Sequence, residues 1–89
     1  MNQNKTRLRE LLQMASKDYT PENFSDELLN ETKGLIRELY NPIIEYFVGD
    51  LSFGVSKPEE INNNCLKFKI QSNLGMVWLT IDKDGNCVN

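Results

Sequence analysis

Between Cys65 and Asp82 the chain alternates: Lys67 and Lys69 separate Leu66, Phe68 and Ile70, and Trp78 and Thr80 separate Val77, Leu79 and Ile81. A period of two is the mark of a strand with one buried face. Folding this stretch about a tight turn at Asn73-Leu74, with Ser72 facing Gly75, sets Ile70 against Val77, Phe68 against Leu79 and Leu66 against Ile81. The intervening pairs Gln71/Met76, Lys69/Trp78 and Lys67/Thr80 then share the other face. A slip of one residue would set the lysines against apolar partners, so burial of one face pins the register. The turn is the weak element. A type I′ loop needs positive φ at both central residues, which suits Asn73 but not Leu74, so a longer loop is the alternative.

Upstream the period becomes helical. From Lys5 to Lys17 the residues Leu8, Leu11, Leu12 and Ala15 recur at i, i+3, i+4 and i+7, with Met14 off the stripe. Residues 18–23 break the pattern, and either Thr20 before Pro21 or Ser25 before Asp26 and Glu27 suits the cap of a second, long helix. Leu28, Thr32, Leu35, Leu39 and Ile43 follow one face of it, widened by Leu29, Ile36, Tyr40, Ile44 and Phe47. Pro42 either kinks this helix or ends it, in which case Asn41 caps a short helix to Val48, and Gly49 is a stop. Leu51, Phe53 and Val55 alternate with small residues as a half-buried strand; residues 57–64 read as a polar loop, residues 82–86 as a turn and Cys87-Val88 as a short last strand. The sum is an α+β domain over residues 1–89, with a helical half at 5–48 and a sheet half at 51–89. Two to three N-terminal helices pack on one face of a three- or four-stranded antiparallel meander and cover Phe68 and Leu79.

Composition agrees with a folded chain: 39% of the 89 residues are hydrophobic and 26% charged. A domain of this size buries only about 60 to 65% of its unfolded surface, so its core is modest. The longest apolar clusters, Ile43-Ile44 and Tyr46-Phe47-Val48, are far below the roughly 18 residues of a membrane span, and no signal-peptide core is apparent. These features predict a cytoplasmic protein without a membrane partner. Asn- and Lys-rich usage without histidine has the flavour of an AT-rich bacterial or phage genome. Cys65 and Cys87 fall on strands with the Trp78 strand between them, about 9 to 10 Å apart, too far for a disulfide. Two free thiols are expected. Charge is uneven: residues 1–17 carry Lys5, Arg7, Arg9 and Lys17 against Glu10, a surplus of +3, while residues 18–50 carry −6. A basic first helix and an acidic second one attract, at about 0 to 1 kcal/mol for each exposed pair.

Chemical motifs are sparse. The run Asp82-Lys83-Asp84-Gly85-Asn86 resembles the start of a calcium loop, but Gly85 falls at position 4 instead of 6 and no Glu closes position 12; a turn with Gly85 at positive φ explains it. Without histidine, and with only two distant cysteines, no zinc set is present. No phosphate-binding glycine loop appears. The acid pairs Glu59-Glu60, Asp26-Glu27 and Asp82/Asp84 read as solvated surface, so no catalytic residue, metal or cofactor is assigned and the protein is read as a non-enzyme.

The binding residues singled out are Trp78, Met76, Lys67, Lys69 and Gln71 on the outer sheet face, with Ser52 and Gly54 as a shallow floor beside them. Exposed Trp and Met are interface chemistry; the competing reading folds the first helix or the C-terminal tail over Trp78 as a second small core. The acidic residues Asp26, Glu27, Glu31, Glu38 and Glu45 form a further candidate surface. Exposed sheet edges at residues 51–56 and 87–88 favour a homodimer. The expected function is therefore a small protein–protein interaction module, such as an inhibitor, immunity or accessory protein. The alternative is a nucleic-acid-associated regulator that sets Lys5, Arg7 and Arg9 of the basic first helix against phosphates.

Overall fold

The computed structural model describes residues 3–49 and 52–88. Three helices come first: α1 Gln3–Lys17, α2 Asp26–Leu39 and α3 Asn41–Phe47. Four strands follow, β1 Gly54–Val55, β2 Glu59–Ile61, β3 Cys65–Gln71 and β4 Met76–Ile81. Leu8, Leu11, Leu12 and Ala15 are all buried, as the helical period of α1 requires, and Met14 is exposed.

Ser25, not Thr20, opens α2. Its Oγ accepts the Leu28 N–H at 3.4 Å, and Asp26 and Glu27 occupy the first turn, where carboxylates favour the helix dipole. Thr20 is taken up instead by the preceding turn, where its N–H and hydroxyl both donate to Asp18 Oδ1. Pro42 ends the long helix. Asn41 is the first residue of α3 rather than its cap; Tyr40, at φ −123°, occupies that place with no side-chain cap bond. The Tyr40 carbonyl starts the new helix by accepting the Ile43 and Ile44 N–H groups, both at 3.0 Å.

The β3–β4 hairpin has the register expected from its alternation, from Leu66 opposite Ile81 to Gln71 opposite Met76. Its turn differs from type I′, because neither Asn73 nor Leu74 is at positive φ. Ser72 stabilises it instead: its N–H donates to the Gly75 carbonyl at 2.9 Å and its Oγ accepts the Leu74 N–H at 3.1 Å.

Residues 57–64 are not a loop throughout. β2 pairs with Cys65–Lys67 of β3 and β1 with Ile70 and Gln71, both along the edge of β3 opposite β4. The register shifts by one residue between them, which is a bulge at Ser56–Pro58. Ser56 fits it to β3: its N–H donates to the Lys69 carbonyl at 2.9 Å and its Oγ accepts the Lys69 N–H at 2.8 Å. Asn63 and Asn64, at φ 64° and 60°, make the return to β3 a tight turn that Asn tolerates. Beyond β4, the predicted last strand amounts to one bridge, Ile81 to Cys87, and a Val88 N–H bond to the Thr80 carbonyl.

The helices cover one sheet face. Leu66, Phe68, Ile70, Leu79 and Ile81 meet Leu8, Leu12, Ile36 and Ile44 in the main core, joined by Phe53, while Val55 is half-buried against it. The predicted inward position of Leu51 lies outside the described residues. Phe47, expected in the core, is 39% exposed at the last residue of α3, while Ile44 and Val48 are the positions buried there. At the other end of the sheet the turn after β4 locks onto α1. Gly85 has φ +84°, and a Cβ there would stand 2.8 Å from the Lys5 carbonyl carbon. The buried Tyr40 hydroxyl donates to the Gly85 carbonyl at 2.7 Å.

Candidate functional site

Alternation in β3 and β4 sends Phe68 and Leu79 into the core, so Lys67, Lys69, Gln71, Met76 and Trp78 must stand on the opposite face. Met76 is 46% and Trp78 45% exposed. Neither helix nor tail turns Trp78 into a second core: among the described residues both core clusters lie on the helical side and exclude it. Lys67 Nζ is 5.2 Å and Lys69 Nζ 5.9 Å from the indole centroid. Cation–π attraction of about 0.5 to 1 kcal/mol at each exposed contact holds the two ammonium groups against the ring. The result is an exposed apolar plate with two ammonium groups held against its ring.

The five residues do not converge on one hollow. A cleft of about 790 Å³ beside β1 is lined by Ser52, Gly54, Ser56, Lys69, Gln71 and Asn73, while Trp78, Met76 and Lys67 stand outside its lining. Ser52 and Gly54 thus form the floor that their small size suggests. Tyr19 closes the edge next to this cleft, its hydroxyl donating to the Val55 carbonyl at 2.6 Å. Half-burial pushes the Tyr19 phenol above its ordinary pKa.

The face is wider than the sequence suggested. Glu59 stands opposite Lys67 and Ile61 opposite Cys65, which brings the exposed Ile61 onto the same surface. The stretch Glu59–Ile61 has no alternation of its own, so only the pairing reveals it. At the tip of the hairpin Leu74 is 69% exposed, and on α3 Tyr46 is 84% exposed and packs edge-on against Phe47 at 4.9 Å.

The other candidate surfaces are partly consumed by the fold. Glu31 receives both Nε and Nη2 of Arg7, at 2.8 and 2.9 Å, and Glu38 accepts from Asn4 at 3.1 Å. The hydrogen bond from Arg7 holds the Glu31 carboxyl below its usual range and raises the Arg7 guanidinium above its own. Glu45 lies on α3, apart from the other four acids on α2. The basic residues of α1 are dispersed: Arg7 faces Glu31, and Lys5 Nζ donates to Asn86 Oδ1 at 2.8 Å. Asp82 Oδ1 is occupied by the N–H groups of Asp84 and Asn86, as befits a turn. Cys65 and Cys87 are both free thiols.

No protein-family model, curated protein or solved structure matches this chain. No helix among the described residues is long and apolar enough to cross a membrane.

Proposed function

We propose that this protein is a non-enzymatic protein–protein interaction module whose docking surface is the outer face of the sheet around Trp78. The observation that carries the reading is the one-sided sheet: helices cover the Phe68 face, while the opposite face leaves Trp78 and Met76 nearly half exposed. Large, adaptable apolar side chains of this kind dominate binding energy at protein interfaces. Lys67 and Lys69 beside the ring favour a partner that offers carboxylates around an apolar centre. We take a foreign partner, not a second copy, as the occupant of this face. The free Cys65 and Cys87 suit a reducing compartment, and the cytoplasm is where we place the protein's action.

The nucleic-acid alternative is weakened by Arg7, whose guanidinium is already engaged by Glu31. Sedimentation equilibrium with Trp78 fluorescence on the same samples tests the assignment. A monomer with red-shifted emission at every concentration is expected, with a blue shift on adding the partner. The Trp78→Ala protein should melt close to wild type and fail to bind. Collapse of that variant's stability, or a blue-shifted monomer, would refute the docking role.

A further inference from the structure

Arg9 lies one helical turn beyond Lys5, so both side chains rise from the same flank of α1. Against that flank sits the turn after β4, held by the Lys5 bond to Asn86 and by the close approach of Gly85 to the Lys5 backbone. Between them is a cleft of about 720 Å³ whose lining includes Lys5, Arg9, Lys83, Glu10 and Asp84. Arg9 lines this cleft, and its Nη1 is buried without a hydrogen-bond partner. A buried donor left unsatisfied is unfavourable, the more so on a charged group, and natural folds rarely retain one. The planar guanidinium is suited to paired oxygens of an oxyanion.

Charge narrows the ligand. Lys5, Arg9 and Lys83 face Glu10 and Asp84 across the cleft, a surplus of one positive charge in its lining. A net positive lining favours an anion, and a phosphomonoester, which carries about −1.5 to −2 at neutral pH, offers the paired oxygens that a guanidinium takes. The volume is that of a small-molecule site, roughly 300 to 1,000 Å³, and leaves room for a polar body whose hydroxyls could donate to Glu10 and Asp84. Those same carboxylates repel a polyanion such as nucleic acid. We infer that the cleft between α1 and the Lys83–Asn86 turn binds a small phosphomonoester, with Arg9 and Lys83 donating to its phosphoryl oxygens. This site is separate from the Trp78 face and does not depend on that reading.

Nuclear magnetic resonance titration with glycerol 3-phosphate, inorganic phosphate and acetate, at ionic strength matched with chloride, tests the site. Both phosphates should give saturable shifts at the Arg9 side chain and the Lys83 and Gly85 amides, and acetate should not. Arg9→Met should weaken binding by about tenfold or more, the loss expected when charge-assisted bonds go. Its melting temperature without ligand should stay level or rise, because an unsatisfied donor has been removed. Lys83→Ala, in the exposed turn, provides a second variant that keeps the fold and should also bind more weakly. Equal shifts with acetate, or shifts untouched by both variants, would overturn the site. Tighter binding of a phosphoserine peptide than of glycerol 3-phosphate would overturn the small-molecule assignment.

Discussion

Tyr40→Phe is the substitution that best separates the forces holding the helical layer to the sheet. Tyr40 is 7% exposed, and its hydroxyl donates to the Gly85 carbonyl across 2.7 Å. Phenylalanine keeps the ring and removes only that donor, so a buried carbonyl loses its partner at a cost of about 1 to 3 kcal/mol. In a domain of this size each kcal/mol lowers the melting temperature by about 4 to 8 °C. The same phenol predicts a pH dependence. Burial, and then the neighbouring Cys87 and Asp82, push its pKa up to about 12 from the ordinary 10.0. A pKa raised in the folded state favours folding while the group is protonated; the contribution is complete below pH 10 and is lost as pH rises through about 12. A two-unit difference corresponds to about 2 to 3 kcal/mol. Urea unfolding of both proteins at neutral pH and along an alkaline series measures it. Wild type should exceed Tyr40→Phe by a constant margin up to about pH 10, and the margin should then shrink. Equal stability at neutral pH would refute the hydrogen-bond argument, and a flat margin into strong alkali would refute the linkage.

Phe68→Ala should destabilise by about 3 to 5 kcal/mol, because Phe68 is fully buried at the centre of the sheet; thermal melting measures the loss. Gly85→Ala meets both a positive φ and the Lys5 backbone, so a loss of about 1 to 3 kcal/mol in urea unfolding is expected, against a gain of about 0.5 to 1 kcal/mol for Gly34→Ala inside α2, where a Cβ meets nothing within 4 Å. Glu31 is held ionised by Arg7, so its contribution is present above the ordinary carboxylate range and is lost as pH falls through its lowered pKa. Glu31→Gln should therefore flatten the acid limb of the urea midpoint against pH, and reduce its salt dependence.

The sheet core was legible because burial on one face imposes a period that a sequence shows directly. Leu66, Phe68 and Ile70 could face Val77, Leu79 and Ile81 in only one register without burying lysine. The helical stripe of α1 was legible for the same reason. β2 was hidden because Glu59–Ile61 is held by main-chain pairing with β3 while all three of its side chains stay exposed, so no hydrophobic pattern marks it. Asn41 has a capping side chain, yet Tyr40 took the cap position; its hydroxyl is fixed by Gly85, a partner 45 residues away that no local rule anticipates. The Trp78 face followed from strand alternation. The Arg9 cleft did not, because it joins the first helix to the last turn across nearly the whole chain.

The bulge at Ser56–Pro58 bears on how this protein avoids self-templating. A cross-β fibril grows on an unbroken ladder of about six or seven residues. On this side of the sheet the ladder comes in runs of two and three residues, offset by one, around a buried proline that has no N–H to offer. An incoming strand in register with β1 is out of register with β2, so its pleat fails midway. The small irregularity thus makes that edge a poor template for amyloid.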